Sequence, residues 1–402
     1  MSEFRYQPLG DDEGLRSAWA RSGSLAFRND PDTIIEYLNR VDRDRWCRVL
    51  LDEHGTLAAT MMRSRIGMFI CGQRVSAVSA GFVSVPPEQR GRRVSVALMR
   101  EHLREAHEEG TALSVLYSAR ARLYRGVGYE TAGRRSMIEV PIRSVGPRSL
   151  AGAEQVRVRE MRESDLDAIK AFYTSCVRGF NGALDRDEWF WGYMLGAYAK
   201  SRRPGFVFER DGQMTGYVVL TTGAHIGPKR GSELHIYDLQ FSDAQTGRAI
   251  VRFLTGFTST RGTMLIPCDT SHPFFDHLDE LWHQIKWTDL WMLRVVDFER
   301  AIRERGFSDC LQGRVVVEIE DTLIPRNTGT WKIEIEGGQG TTTRCNEPAQ
   351  LRMGIDAFAP IFSGFATASQ MCLNGRVQGD AAAIRKLDGL FAAPTPWMAD
   401  DF

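Results

Sequence analysis

The apolar positions of this chain switch repeatedly between the period of a strand and the period of a helix. "WCRVLLDEHGTLAATMMRSRI" is two apolar runs folded about a Gly55 turn, and "RVSAVSAGFVSV" is a further alternating strand. After the polar turn "PPEQRGRR", the residues Val96, Met99, Leu103 and Ala106 recur at spacings of three and four, the stripe of an amphipathic helix. "TALSVLYS" is then a short, wholly apolar strand. Strand, helix and strand in close succession predict a βαβ unit, with parallel strands and a right-handed crossover.

The pattern then restarts. "VPIRSVGPRSLAGAEQ" is a linker by its Pro, Gly, Ser and Ala content. Beyond it, "VRVREMRESDLDAIKAFYTSC" repeats the strand, acidic cap and helix of the opening "FRYQPLGDDEGLRSAWARSG", and "FVFERDGQMTGYVVL" is again a hairpin around a tight turn. A duplicated domain is expected, with copies at 1–150 and 151–290. The second copy, "LHIYDLQFSDAQTGRAIVRFL", keeps strand and helix but has no arginine–glycine cluster. From Trp291 the texture changes to strand, helix, two long alternating strands and two apolar helices, a small α+β domain over 291–402.

Composition changes this picture little. A chain of 402 residues is long enough for two to three domains. Its formal net charge of zero gives no reason to expect nucleic acid or an anionic membrane as partner. The opening "MSEFRYQPLGDDEG" lacks the basic lead and apolar core of a secretory signal, and no apolar run approaches the roughly 20 residues of a membrane span. Seven scattered cysteines without a CxxC spacing argue against a disulfide framework or a metal site, so a reducing cytoplasm is expected.

Chemistry concentrates first in "SVPPEQRGRRVSVALMREHL". A helix N-terminus has unpaired N–H groups and a partial positive charge, Gly91 lets backbone approach a ligand closely, and Arg90, Arg92 and Arg93 add charged donors. The turn is either a phosphate cradle or an ordinary solvated junction. It is neither a Walker A loop nor a GxGxxG. A second cluster is "SARARLYRGVGYE", where Tyr124 stands four residues before Gly128 and five before Tyr129.

Together these two stretches resemble the GNAT superfamily of acyl-CoA-dependent N-acyltransferases. "RGRRVS" resembles its pyrophosphate loop, with Arg93 standing where many members have glycine, and "LYRGVGY" resembles the turn whose first tyrosine protonates the departing thiolate. The full chain, with "FVSVPPEQRGRR", "LWMLRVVD" and the terminal "DDF", resembles the Eis (enhanced intracellular survival) family. That resemblance implies an α/β (α+β) fold: two tandem GNAT-like mixed-sheet domains, the second degenerate, and a small sterol-carrier-protein-like α+β domain. It implies an acetyl-CoA-dependent N-acetyltransferase acting on primary amines (polyamine, aminoglycoside-like or lysine-type) and a homo-oligomer, commonly a hexamer.

By residue, the resemblance implies acetyl-CoA held by the backbone of Val83, Ser84 and Val85, the pyrophosphate by Gly91, Arg92, Arg93, Val94, Ser95 and Val96, and the far side flanked by Ala119 and Arg120. Tyr124 is the expected general acid and the α-carboxylate of Phe402 the expected general base. Phe27, Asn29, Asp30, Phe82 and Asp401 are expected around the substrate. No metal is expected. Two other readings compete: a non-catalytic carrier of an apolar ligand, and a scaffold in which both copies are inactive.

Overall fold

The computed structural model describes residues 4–147, 155–196, 203–221, 233–257 and 262–402. The expected boundary at 150 lies outside the described residues; of the expected linker, 148–154 lie outside them, while its start is the end of a strand (to Pro141) and the turn Ile142–Ser144. In the first unit β1 (Arg5–Pro8) and β2 (Cys47–Leu51) lead into the long hairpin β3 (Leu57–Ile70) and β4 (Gln73–Ser84). Helix α4 (Val94–Glu108) then crosses to β5 (Leu113–Tyr117), which pairs parallel with β4. The helices α1 (Glu13–Phe27), α2 (Pro31–Leu38) and α3 (Arg43–Trp46) precede β2. α4 buries Leu98, Met99, Leu103 and Ala106, and β5 is buried on both faces, with the hydroxyl of its one polar residue, Ser114, hydrogen-bonded to His102 and Tyr129.

After the short helix α5 (Ala121–Arg125) and strand β6 (Glu130–Pro141), the same construction returns. β7 (Arg157–Glu160), α6 (Leu166–Val177), the two-residue strand β8 (Leu184–Asp185) and α7 (Glu188–Leu195) precede the hairpin β9 (Gly205–Arg210) and β10 (Gln213–Leu220). β11 (Glu233–Phe241), α8 (Ala244–Thr255) and β12 (Thr263–Pro267) form the second βαβ unit, again with parallel strands.

The two units exchange their last strands. β13 (Gln284–Val295) lies between β5 and β6, antiparallel to both, while β6 lies beside β12. The result is one sheet of thirteen described strands running β1-β2-β3-β4-β5-β13-β6-β12-β11-β10-β9-β7, with β8 attached to β3. A boundary at 291 therefore cuts through β13, whose apolar half Trp291–Val295 completes the sheet of the first unit. Periodicity reveals that such a strand exists but not which sheet its edge joins.

The third unit follows at α9 (Phe298–Glu304). It has a five-stranded sheet built from β14 (Gly313–Glu320), β15 (Gly329–Glu336), β16 (Gln339–Arg344), β17 (Leu351–Gly354) and β18 (Val377–Gly379), in the order β16-β15-β14-β17-β18. α10 (Ile355–Ser363), α11 (Ala368–Leu373) and α12 (Ala381–Phe391) complete it. Its core is continuous with that of the first unit through Phe298, Phe358 and Trp291. A fully buried pair, Arg294 on β13 and Asp321, closes the junction at 2.7 Å. Among the described residues, no helix is long and apolar enough to cross a membrane.

Candidate active site

β4 and β5 pair only over Ala77–Ser79 and Leu113–Val115, and beyond that point they part. On its other edge β4 carries a bulge: Thr60 faces Ser84 while Met62 faces Gly81, and Phe82 within it has φ +50°. The bulge twists β4 away from β5 and leaves backbone groups from Ala80 onward facing a gap. Unpaired strand groups need partners, and an extended amide-bearing ligand supplies them.

The gap leads to the N-terminus of α4. Gly91 has φ +85° and Arg93, the capping residue, φ +57°, and no side chain caps the helix. The first helical bonds run from Val96 and Ala97 to the Arg93 carbonyl, so the N–H groups of Val94 and Ser95 have no acceptor within the helix. A Cβ built on Gly91 meets nothing within 4 Å, so this backbone faces open space. The arrangement fits an anion. The Arg92 guanidinium turns aside, to Gln89 at 2.8 Å and over the Phe4 ring. What Arg92 has left to offer the cradle is backbone.

Behind the gap lies a cavity of about 630 Å³. It brings together Val83, Ala119, Tyr124, Phe27, Asn29, Phe82, Asp401 and Phe402 from the expected set. Others lie outside its lining. The Ser84 hydroxyl belongs to a buried chain with Ser22 and Thr60, each at 2.7 Å, leaving only its backbone for a ligand. The Asp30 carboxylate caps α2 through Thr33. Val85 is half-buried on the way to the turn, and Arg120, exposed, opens α5.

Tyr124 sits on α5 with its ring edge against Tyr129 at 6.0 Å. Burial pushes its phenol up to about 12, so it is protonated throughout the neutral range.

Every unit of the fold pins the final segment. Trp397 donates its N–H to the Asn181 carbonyl, while the Asn181 amide donates to carbonyls of Ser363 and Pro394. Met398 donates to the Arg134 carbonyl, Arg135 to that of Ala399, and the Tyr117 hydroxyl to that of Asp400. The Asp400 side chain meets Arg186 at 2.8 Å in a buried network with Asp238 and Tyr217. Burial raises the Asp400 pKa against the opposing pull of Arg186. Asp401 lies 3.3 Å from Arg135. The Phe402 ring packs edge-on against Tyr117 and Phe190, at 5.3 and 5.5 Å.

Its carboxyl carbon rests on β4 at Gly81, where any Cβ would approach to 2.9 Å. The need for glycine there could not be read from the sequence. Also unforeseen were Asp289 on β13 and the α7 residues Trp189 and Tyr193, which line the cavity from the second unit's side of the chain. One signal was available: "EWFWGYML" is unusually aromatic for so short a helix.

Among the described residues, no group of three or more His, Cys, Asp or Glu side chains could hold a metal ion.

Residues 11–132 and 182–295 each match an acetyltransferase (GNAT) domain, and residues 298–399 match a sterol carrier protein domain. A Streptomyces coelicolor protein described as an uncharacterized N-acetyltransferase is 27% identical over 343 residues, 82% of each chain. A Streptomyces avermitilis protein of the same description is 27% identical over 347 residues, 82% of this chain and 83% of its own. Among solved structures, a GCN5-related N-acetyltransferase from Anabaena variabilis superposes with TM-score 0.90 at 23% identity, covering 99% of this chain and all of its own. Eis1 from Mycobacterium abscessus superposes with TM-score 0.77 at 18% identity, covering 99% and 100%. The open cradle lies in the first of two GNAT domains, the three-part fold is shared with Eis1, and the chain is an acetyltransferase of the GNAT type.

Proposed function

We propose that the first domain transfers the acetyl group of acetyl-CoA to a primary amine by direct attack. The observation that carries this is the meeting, in one cavity, of the Phe402 carboxyl group and Tyr124 beside the open edge of β4. Acetyl-CoA supplies the activated acyl group, and the C–N bond forms as the C–S bond breaks. The backbone of Val83, Ser84 and Val85 pairs with the amide-bearing arm, the N–H groups from Arg92 to Ser95 take the pyrophosphate, the Val96 N–H being bonded to the Arg93 carbonyl, and Ala119 and Arg120 flank the other side. The Val83 N–H faces the carbonyl oxygen as it gains charge.

The Phe402 α-carboxylate accepts the proton shed by the nitrogen, directly or through a water, and Tyr124 delivers one to sulfur. A phenol near 12 is a weak acid, but the thiolate forms in the same buried space, and desolvation raises both groups together. No covalent acyl-enzyme is needed.

The carrier reading finds less support. The third domain's interior is filled by its own rings, with Phe358 at 5.0 Å from Phe298 and 5.5 Å from Phe391. A homo-oligomer is supported by β13, whose segment 284–290 runs past the end of β5. Ile285, Trp287 and Leu290 on it, and Trp282 just before it, are each exposed. All seven cysteines are free, which suits a reducing cytoplasm.

The test is free-thiol release from acetyl-CoA in the presence of a primary amine, with the acetylated amine identified by mass. Thiol release no faster than hydrolysis without amine would overturn the proposal.

A further inference from the structure

We propose that the preferred acceptor is a monoamine of the arylalkyl type: a flat aromatic or apolar body bearing one primary ammonium on a short chain. This rests on the acetyl-transfer reading above and narrows it. Two independent observations carry it, the walls of the cavity and its charge.

The walls are stacked rings. From the first domain, Phe82 stacks on Phe27 at 4.5 Å and 21°, and lies parallel to Trp19 at 6.4 Å and 9°. From α7, Trp189 and Tyr193 stack at 5.5 Å and 8°. Their polar atoms are already used: the Trp189 indole N–H donates to the Tyr37 hydroxyl, and Tyr193 is hydrogen-bonded to Tyr237. All five rings line the cavity, and an aromatic lining of this kind suits a flat apolar body.

The charge is small. Arg63 is taken up behind the cavity by Glu105 and Glu109, at 2.8 and 2.6 Å. Arg135 stands opposite Asp289 in the β6–β13 register and 3.3 Å from Asp401. Asp289, Asp401 and the Phe402 carboxylate against Arg135 leave an excess of two negative charges, which suits at most two ammonium groups. A polycationic sugar brings more charge than these carboxylates neutralise, and each surplus ammonium would be desolvated against ring faces. A quaternary ammonium suits aromatic walls as well, but it has no N–H to exchange for an acyl group. A monoamine with an aromatic body satisfies both constraints.

The experiment measures kcat/KM by thiol release with 2-phenylethylamine, tryptamine, propylamine, spermidine and an aminoglycoside, alongside calorimetric titration with acetyl-CoA. The expected result is that the two aromatic amines exceed spermidine and the aminoglycoside at least tenfold. In Phe27→Ala, at an exposed position whose loss leaves the core intact, the fall should be at least fivefold greater for 2-phenylethylamine than for propylamine. Equal or better use of spermidine or the aminoglycoside overturns the inference, as does a Phe27→Ala loss shared equally by both monoamines. Heat of acetyl-CoA binding with no turnover of any amine overturns the inference while leaving the cofactor site standing. Absence of both heat and turnover removes the acetyl-transfer reading itself.

Discussion

The two βαβ units share a topology and differ at one helix end. In both, the parallel strands pair over three residues before parting: Ala77–Ser79 with Leu113–Val115 in the first, Glu233–His235 with Thr263–Leu265 in the second. In the first, α4 begins at Gly91 and Arg93 in left-handed conformation and has no side-chain cap. In the second, α8 begins at Asp243, whose carboxylate accepts from the Thr246 N–H at 2.9 Å and pairs with Arg210 at 3.1 Å. The second helix carries its own anion where the first leaves the place open. The space beyond the second pair of strands is only about 180 Å³, lined by Arg186, Tyr237 and Asp400. A duplicated frame keeps its strands and helix for stability. The second copy has a capped helix and a smaller space beyond its strands, and its α7 serves as a wall for the neighbour's cavity.

Variants in both units would break or sharpen that contrast, in order of expected effect. The largest should come from Tyr124 and Phe402, the groups proposed to move protons in the first unit. Tyr124→Phe is expected to lower kcat by about 10²–10⁴-fold with little change in KM for acetyl-CoA. A short Gly-Ser tail after Phe402 should cause a loss of the same order, with coenzyme A binding retained. Because the Tyr124 phenol is raised to about 12, wild-type activity should climb as the amine deprotonates and not fall again below about pH 11. A wild-type rate in either variant would mean that the first unit works by another route.

Gly81→Ala comes next. Its Cβ would displace the Phe402 carboxyl carbon, and a misplacement of about 1 Å can cost roughly 10²-fold in rate. Circular dichroism should show the fold intact while the rate falls.

Smaller again is Arg93→Gly, at φ +57°. Backbone donors should keep coenzyme A affinity within about tenfold, roughly 1.4 kcal/mol, while relief of the left-handed residue raises stability by up to about 1 kcal/mol. A greater loss, weakly dependent on salt, would assign the Arg93 side chain to the phosphates.

The smallest effect is expected in the second unit. Asp243→Ala should cost about 0.5–2 kcal/mol of stability, as for other N-caps, without opening a site, so titration should still find one coenzyme A per chain. Burial opposes ionisation of Asp243, but Thr246 and Arg210 outweigh it and hold its pKa below the ordinary 3.8. A depressed carboxylate contributes stability above its unfolded pKa and loses it as the pH falls through the folded one. The wild type should therefore shed this contribution below about pH 4, and Asp243→Asn should not. Two bound coenzymes per Asp243→Ala chain would show that the cap alone separates the two units.

Local pattern was enough for much of this. The Val96–Ala106 stripe, the apolar "TALSVLYS" and the turns at Gly55 and Gly212 each record a period or a backbone preference that neighbouring residues set among themselves. The Arg-Gly turn and "LYRGVGY" could be located because each is a contiguous loop whose chemistry lies in a few adjacent residues. What depended on distant segments was out of reach. The exchange of β6 and β13 joins edges more than a hundred residues apart, and both edges look alike to a two-residue period.

Asp30 had a carboxylate's chemistry and a plausible neighbourhood, yet the α2 N-terminus claimed it. Gly81 could have been any strand glycine until the Phe402 carboxyl carbon came to rest on it. The sequence alone thus determined the local elements and the uncapped Arg-Gly turn before α4, because short-range sterics and hydrogen bonding act between neighbours. Only the tertiary structure decided where Phe402 lies and which aromatic rings enclose it, because those contacts exist only once all three units have packed.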